Sequence, residues 1–345
     1  MILNFRSDNC SPVLPEIFAA LCHDALTELP ANGGEAYSET FDDEVARRFG
    51  ETFGAKVGVL TTLSGTGTNA LAIATLLHDP TAPIFCHEEA HVHVWEENAA
   101  LYLSRAPRFS LIEGADGRIS PSSFEKRINS ADRPVEGGVL ALTTPTEAGT
   151  VYPIADLRRL CELSHAAGMS VYVDGARLGS ALAALGLSPA EFVTSTGVDA
   201  FSFGGTKAGC VAAEAGIFVS PDDSLMSRAT KLYRASGQRT ARRRFVNVQL
   251  LRLLKDGLWI DIARRQNDRC AEFVKFADSA AQSHFVHPCE TNQAFLRYSV
   301  RLAGALEAAD IRFTRWTDGS IRLVFCHHHT SAEIETLARV VRANI

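Results

Sequence analysis

The chain has 345 residues and a formal net charge of −6, from 34 lysines and arginines against 40 aspartates and glutamates. This acidic balance disfavours a protein that holds nucleic acid through phosphate contacts. Eight scattered cysteines without a CxxC pair disfavour a zinc ribbon or a disulfide framework. The first residues lack the pattern of a signal peptide, and no apolar run reaches the roughly 18–20 residues of a membrane helix. These features favour a cytoplasmic metabolic enzyme that binds neither membrane nor nucleic acid.

Strand and helix patterns alternate along the first two thirds of the chain. Apolar runs predict strands within 57–64, 82–91, 137–145, 169–179, 198–209 and 210–220. Helical spacing of apolar residues follows at 69–77, around Val92–Leu103 and at 155–168. This alternation, with nearly continuous apolar strands, predicts an α/β fold whose mostly parallel sheet is covered on both faces.

The pattern changes near Leu250. A long helical region is predicted at 249–283, then short strands at 292–298 and 320–326, and a last helix at 331–343. We therefore expect a large domain, with the N-terminal segment, over 1–248 and a small α+β domain over 249–345. The basic run 239–245 (RTARRRF) is compatible with an anion site, and equally with a solvated helix face or a subunit contact.

The first segment that carries chemistry is Ser64-Gly65-Thr66-Gly67-Thr68-Asn69, which follows a strand and opens a helix. Glycine lets the backbone approach a ligand closely, and free N–H groups at a helix N-terminus favour an anion such as phosphate. The hydroxyls of Thr66 and Thr68 are further donors. The turn is neither a Walker sequence nor GxGxxG, which disfavours a nucleotide. In isolation it is equally compatible with an ordinary helix start.

The second segment is Val171-Tyr172-Val173-Asp174-Gly175-Ala176-Arg177. Asp174 ends an apolar strand, at the sheet edge where open α/β proteins bind ligands. Its carboxylate can pair with a protonated ring nitrogen, and Arg177 can hold another anion. The alternative is an aspartate that only caps the next helix.

The third segment, 200–209 (AFSFGGTKAG), places one lysine after an apolar strand with glycines on both sides. A half-buried lysine can lose its proton and condense with an aldehyde as a Schiff base. Taken alone, Lys207 is better explained as a surface lysine in a glycine turn. Together the three segments supply a phosphate cradle, an acid for a ring nitrogen and a lysine for an aldehyde, which are what pyridoxal 5'-phosphate requires. Their order is that of the aspartate-aminotransferase-like enzymes, fold type I.

Further motifs occur along nearly the whole chain: Arg6-Ser7-Asp8-Asn9, EEAHVHVWEENAA with His91 and Glu96, Glu147–Tyr152, and Ile321–Val324. On these motifs, with the three segments above, the chain resembles low-specificity L-threonine aldolases of the β-eliminating lyase superfamily. The resemblance implies cofactor attachment at Lys207, a pyridine-nitrogen contact at Asp174, phosphate binding at Gly65 and Thr66, and ring stacking at His91. It also implies that Ser7, Arg177 and Arg322 hold the substrate carboxylate, with Arg177 bordering the cofactor as well.

Two residues are implied to act between subunits. Arg239 roughly matches an arginine that reaches the phosphate of a neighbouring subunit. Tyr37 is a candidate contributed across the dimer interface, although a buried core tyrosine explains it nearly as well. The resemblance implies a homo-oligomer, a tetramer built as a dimer of dimers.

The chain departs from the family pattern at two places. Thr143-Thr144-Pro145 stands where many members have Asn-Thr-His, and Thr206 rather than serine precedes Lys207. Both departures fit a branch that includes phenylserine aldolases. His91 is then the remaining candidate base for the β-hydroxyl proton, directly or through a water held with Glu96, unless it only packs or caps a helix. Three consecutive histidines, at 327–329, rarely face one point and have no acidic neighbour, so we expect no metal site.

The predicted activity is that of a pyridoxal-phosphate-dependent aldehyde-lyase. It would cleave a β-hydroxy-α-amino acid of the L-threonine, L-allo-threonine or phenylserine type to glycine and an aldehyde. A β-eliminating lyase is the first alternative, and a non-catalytic cofactor-binding protein is the second. The combination of lysine, acid and carboxylate-binding arginines disfavours the second, because a binder needs no site for a substrate carboxylate.

Overall fold

This computed structural model describes residues 2–25, 34–132, 134–277 and 282–345. The side chains of residues 25 and 34–40 are not described. Within these ranges there are twelve strands and fourteen α-helices. The strands are β1 (Leu3–Asn4), β2 (Val57–Thr62), β3 (Ile84–His87), β4 (Phe109–Ile112), β5 (Val139–Thr143), β6 (Ser170–Asp174), β7 (Ala200–Gly204), β8 (Glu214–Val219), β9 (Gln293–Leu296), β10 (Ile311–Arg312), β11 (Thr314–Arg315) and β12 (Ile321–Val324). The helices are α1 (Pro15–Ala25), α2 (Gly34–Phe53), α3 (Gly65–Leu76), α4 (His91–Val94), α5 (Ala99–Ser104), α6 (Pro121–Asn129), α7 (Ile154–Ala166), α8 (Leu178–Leu185), α9 (Pro189–Thr196), α10 (Asp223–Ala235), α11 (Arg244–Leu254), α12 (Leu258–Phe276), α13 (Val300–Ala308) and α14 (Ser331–Arg342).

A seven-stranded sheet in the order β2-β8-β7-β6-β5-β3-β4 organises the first two thirds of the chain. The pairs from β7 through to β4 are parallel, whereas β8 runs antiparallel to both β7 and β2. The prediction of a mostly parallel sheet is confirmed. The reversal at β8 follows from its short connection to β7, because a parallel neighbour needs a crossover of about a dozen residues or more.

Helix α3 is enclosed by the rest of the fold. Every residue from Thr68 to Leu76 is buried, and the helix contacts β6, β7 and β8. Apart from Thr68, Asn69 and Thr75 this stretch is apolar on all sides, as expected for a helix with no solvent face. The burial fixes the position of its N-terminus, which lies beside the carboxyl end of β2.

A second, smaller core lies near the C-terminus. Strands β11, β12 and β9 form an antiparallel sheet, and α13 and α14 pack in the same cluster of buried side chains. The N-terminal strand β1 pairs in parallel with β10, and Phe5 is fully buried in this core. The division into domains at 248/249 stays a prediction.

Two helical predictions need correction. The helix expected around Val92–Leu103 is interrupted, because Glu97 and Asn98 adopt left-handed backbone conformations that separate α4 from α5. The long region predicted at 249–283 begins earlier, at Arg244, and is broken where Asp256 and Gly257 have positive φ. Residues 278–281 of that prediction lie outside the described residues.

The basic run 239–245 is partly buried rather than solvated. Arg243 is 3% exposed and its Nε donates to Oδ2 of Asp42 at 2.5 Å. Arg244 lies 3.5 Å from the buried carboxylate of Asp24. These pairs tie the run to the N-terminal helices. Among the described residues, no helix combines the length and the apolar character that a bilayer crossing requires.

Candidate active site

A cavity of about 570 Å³ opens at the carboxyl ends of the sheet strands. The strand register brings these ends together: Thr143 of β5 is opposite Asp174 of β6, and Glu214 of β8 is opposite both Thr62 of β2 and Gly204 of β7. The predicted site residues that line the cavity are Ser7, Gly65, Thr66, His91, Glu96, Asp174, Arg177, Lys207 and Arg322. Arg239 lies outside this lining, and the side chain of Tyr37 lies outside the described residues.

The glycine turn gives α3 an open N-terminus. The Ser64 hydroxyl caps the helix by accepting from the N–H of Gly67 at 3.1 Å, and a Cβ built on Gly65 would meet nothing within 4 Å. Backbone N–H groups of the first turn and the helix dipole are thus available to an anion on the cavity side. The hydroxyl of Thr68 is used within the turn instead, because it donates to the Ser64 carbonyl at 3.0 Å.

Asp174 is held in a fixed orientation at the end of β6. Its Oδ2 accepts from Nδ2 of Asn69 at 2.9 Å, and its Oδ1 accepts from the N–H of Ala176 at 3.0 Å. Asn69 also donates to Oε1 of Glu96 at 2.9 Å and accepts from the Tyr172 hydroxyl at 2.6 Å. Asn69 thus bridges two buried carboxylates.

Glu96 is easier to protonate in this setting than an exposed glutamate. Burial and the negative charge of Asp174 raise the pKa of Glu96 to about 7. Its second oxygen, Oε2, is buried without a hydrogen-bond partner. A carboxyl group in this state can hold a proton at neutral pH and exchange it with a neighbour.

Lys207 sits in a single turn, Thr206–Ala208, that follows β7. The glycines beside it are required, since a Cβ on Gly205 would lie 2.4 Å from the Ala213 carbonyl oxygen, and Gly209 has φ of +101°. Burial and the nearby charge of Arg177 lower the pKa of Lys207. A lysine in this environment is a better nucleophile toward a carbonyl carbon than an exposed one.

Two arginines face the cavity with different partners. Arg177 donates from Nε to Oδ2 of Asp8 at 2.7 Å, and Asp8 is 1% exposed. Arg322 donates to the Arg6 carbonyl at 3.1 Å and places its guanidinium carbon 3.9 Å from the centre of the Trp316 ring. Nε of Arg322 is buried without a partner, and burial with the nearby Arg177 lowers the pKa of Arg322 to about 10. Arg322 therefore keeps one buried donor without a partner.

His91 begins α4, and its Nδ1 lies 3.2 Å from Oε1 of Glu147. Burial opposes protonation of the ring, but Glu147 and the charge of Asp174 outweigh it and raise the pKa of His91. Burial likewise opposes ionisation of Glu147, but His91, Arg177 and Lys207 lower the pKa of Glu147 to about 2. The two side chains lie at ion-pair distance in the cavity wall.

Glu214 is a further cavity residue that the sequence did not single out. Its Oε1 accepts from the N–H of Thr206 at 3.3 Å, one residue before the lysine. Burial raises the pKa of Glu214 to about 7. The available sequence signal was an acid at the start of an apolar strand, where its side chain must enter the interior or the cavity.

The histidine run is engaged with the N-terminal strand. Donor atoms of Cys326, His328 and His329 lie within 4.8 Å of one another. Nδ1 of His329 accepts from the N–H of Cys326 at 3.1 Å, and Nε2 lies 3.2 Å from the Asn4 carbonyl oxygen. Burial and neighbouring histidines lower the pKa of His329 to about 4. Backbone groups thus occupy both ring nitrogens of His329, and the expected lack of a metal stays a prediction.

The fold and the placement of lysine, acid and helix N-terminus define an α/β enzyme of the pyridoxal-phosphate-dependent fold type I. Among solved structures, threonine aldolase from Leishmania major superposes with a TM-score of 0.86, at 22% identity over 99% of both chains. An aspartate aminotransferase from Rhodobacter sphaeroides superposes with a TM-score of 0.70, at 17% identity over 99% of this chain and 93% of its own.

Sequence comparison narrows the class. The family model described as beta-eliminating lyase matches residues 4–300. The low specificity L-threonine aldolase of Pseudomonas aeruginosa is 32% identical over 98% of this chain and 96% of its own. That of a Pseudomonas sp. is 29% identical over 98% and 97%. The chain belongs to the beta-eliminating lyase family, and the resemblance to low-specificity L-threonine aldolases is confirmed.

Proposed function

We propose that the chain is a pyridoxal-phosphate-dependent aldehyde-lyase that cleaves β-hydroxy-α-amino acids of the L-threonine, L-allo-threonine or phenylserine type to glycine and an aldehyde. One observation carries the proposal. Lys207, half-buried and with a lowered pKa, shares one cavity with the oriented carboxylate of Asp174 and with two arginines. A site with this composition has a place for an aldehyde, a ring nitrogen and a carboxylate at once.

The residues of the cavity fit pyridoxal 5'-phosphate. The open space at Gly65 and the N-terminus of α3 would receive the phosphate, with Thr66 at the same turn. Asp174 would face the pyridine nitrogen, Lys207 would hold the aldehyde carbon, and His91 would lie against the ring. When bound, the cofactor supplies an electron sink for the bond that breaks at Cα.

Arg322 is assigned to the substrate carboxylate, with Arg177 and Ser7 beside it. Its guanidinium lines the cavity, stacks on Trp316 and keeps an unpartnered Nε. A guanidinium can bind a carboxylate through two parallel hydrogen bonds. Arg177 is already neutralised by Asp8, so its contribution is weaker. Arg322 is thus assigned the larger part in binding the substrate carboxylate, whereas the sequence motifs give Arg177 and Arg322 the same role.

His91 is assigned to the β-hydroxyl proton, with Glu96 as a neighbouring group that can hold a water or a proton. The side chain of His91 is 34% exposed, so it reaches the cavity although its Nδ1 is buried. Removing the hydroxyl proton drives formation of the aldehyde carbonyl as the Cα–Cβ bond breaks.

Part of the cavity wall is aromatic. Trp95 and Trp316 line the cavity with ring centres 5.4 Å apart. Such a wall is suited to an apolar or aryl substituent at Cβ. It supports a place in the branch that accepts phenylserine.

The deciding experiment is a product assay on the purified holoenzyme with threonine, allo-threonine, phenylserine and serine. Glycine and the matching aldehyde in equal amounts, lost in the Lys207→Ala variant, are expected from the hydroxy-amino acids. Pyruvate from serine would establish β-elimination instead. Cofactor binding without either product would establish a non-catalytic binder.

We also propose a cytoplasmic homo-oligomer, a dimer of dimers with Tyr37 and Arg239 reaching a neighbouring subunit's site. Exposed apolar side chains at the cavity mouth, Leu63 at 48% and Trp95 at 46%, support coverage by another copy. All eight cysteines are unpaired, which suits a reducing compartment. Native mass spectrometry should give four chains. A monomer with full activity would contradict shared sites.

A further inference from the structure

Glu147 is a buried acid that faces His91 from a different part of the chain. It lies in the loop after β5 and is 8% exposed. This is the same loop in which Thr143-Thr144-Pro145 stands in place of a histidine-bearing stretch. The loop therefore supplies the cavity with a carboxylate beside the remaining histidine.

The loop holds Glu147 rigidly. The N–H of Gly149 donates to the Thr146 carbonyl at 2.9 Å, and the N–H of Thr146 donates to the Thr150 carbonyl at 2.8 Å. The Thr291 hydroxyl donates to the Gly149 carbonyl at 2.7 Å and ties the turn to the segment before β9. These bonds hold the backbone that carries Glu147, and its buried carboxylate lies against His91.

Several charged groups act on the pair. Glu147 and Asp174 raise the pKa of His91, and the charge of Lys207 lowers it. The pKa of Glu147 is lowered by His91, Arg177 and Lys207. The net result raises the pKa of His91 and keeps Glu147 ionised. The contact at 3.2 Å is at ion-pair distance without ideal hydrogen-bond alignment. Such contacts commonly tighten only when substrate binds.

We propose that Glu147 is the positioning residue for His91: its carboxylate holds the ring through Nδ1–H, so that Nε2 is the nitrogen available to the substrate. The proposal rests on the function proposed above. In the step, Nε2 takes the β-hydroxyl proton, the O–H electron pair becomes the π bond of the aldehyde, and the Cα–Cβ pair stays with Cα. The proton on Nε2 then supplies the hydrogen that converts this carbon to the CH₂ of glycine, which balances the reaction.

This arrangement follows the carboxylate–histidine logic of many acid–base sites. A buried carboxylate fixes the tautomer and stabilises the imidazolium that forms, without itself taking up the proton. Because the pKa of Glu147 is about 2, its carboxylate stays ionised and remains a hydrogen-bond acceptor at neutral pH. It would therefore make His91 both better oriented and more basic.

The test replaces the charge but keeps the shape, in the variant Glu147→Gln. Diethyl pyrocarbonate acylates only unprotonated imidazole, so its rate at His91 against pH, mapped by peptide mass spectrometry on the holoenzyme, reports the pKa of that ring. We expect the midpoint to fall by about one pH unit or more, and the acid limb of kcat to move down with it. The plateau of kcat should fall about 10-fold or more. The matched control is Glu88→Gln, since Glu88 is an exposed acid three residues before His91.

Three outcomes separate this proposal from the proposed function. In the His91→Asn background, Glu147→Gln should have no further effect on kcat, and an additive loss would mean that Glu147 acts through Arg177 or Lys207. An unmoved modification midpoint, in a variant that still binds cofactor, would refute the positioning role while His91 keeps its own. Near-normal turnover in His91→Asn itself would remove His91 as the base and overturn both assignments. If Glu147→Gln binds no cofactor, the test is repeated with Glu147→Asp, which keeps the charge but places it farther from His91. This variant should lower kcat, with only a small change in the pH midpoint of His91 modification.

Discussion

Replacing Asn69 by alanine should destabilise the protein by about 3–4 kcal/mol. Asn69 is 2% exposed and makes three side-chain hydrogen bonds. Two are donated to the carboxylates of Glu96 and Asp174, each at 2.9 Å, and one is accepted from the Tyr172 hydroxyl at 2.6 Å. A hydrogen bond to a charged group contributes about 1.5–3 kcal/mol and a neutral one about 1 kcal/mol, and water entering the space offsets part of the loss.

The loss should also depend on pH. The pKa of Glu96, about 7, is above its usual value, so folding favours the protonated form and stability falls as pH rises from about 4.5 through 7. Without the Asn69 donor, the ionised forms of Glu96 and Asp174 face each other with less compensation. The substitution should therefore cost more at pH 8 than at pH 5.

Urea unfolding of the wild-type and Asn69→Ala apoproteins at these two pH values measures both effects. Asn129→Ala, at the exposed C-terminal end of α6, is the matched control and should change the free energy of unfolding by less than about 0.5 kcal/mol. A loss of that small size at Asn69 would refute the bridge. A large loss that is equal at both pH values would keep the hydrogen bonds but refute the interaction between the carboxylates.

Three further predictions concern the cavity. Borohydride reduction of the holoenzyme followed by peptide mapping should place the cofactor on Lys207; a label on the exposed Lys231 would contradict the assignment. Arg322→Lys loses the forked contact and the stacking on Trp316, so kcat/KM should fall about 10–100-fold while cofactor affinity stays within about twofold, and unchanged kinetics would assign the carboxylate to another arginine. Glu214→Gln mimics the protonated acid, so by urea unfolding it should match the wild-type apoprotein at pH 5 and exceed its stability at pH 8 by up to about 3 kcal/mol; a loss at pH 8 would show that Glu214 is needed as an anion.

The sequence predicted the parts of the site that follow from strand ends. Asp174 and Lys207 each terminate an apolar strand, and parallel strands bring their carboxyl ends to one edge of a sheet. The same reasoning could have found Glu147, a lone acid in a loop of small residues after β5. Its partner does not follow from spacing, because the acid stands four residues beyond the strand, where spacing no longer fixes which way a side chain points.

Pairings between distant segments were beyond prediction. Asp8 neutralises Arg177 across 169 positions, and β1 pairs with β10 some 300 residues away. Local periodicity contains no information about such partners, because they depend on how the two cores are assembled. The bridging role of Asn69 is likewise not predictable from local sequence. Its partners are Glu96, between α4 and α5, and Asp174 at the end of β6.

Two buried acids of the cavity, Glu96 and Glu214, share a raised pKa. Glu96 accepts from Asn69 beside Asp174, and Glu214 accepts from the N–H of Thr206 beside Lys207. Both acids have a pKa of about 7, and both line the cavity that would receive the dianionic phosphate. An ionised carboxylate there would repel that phosphate, whereas a protonated one can donate a hydrogen bond to it. Binding an anion therefore raises the proton affinity of both acids further, and the energy lost by burying them in the empty site is partly recovered when the site is filled.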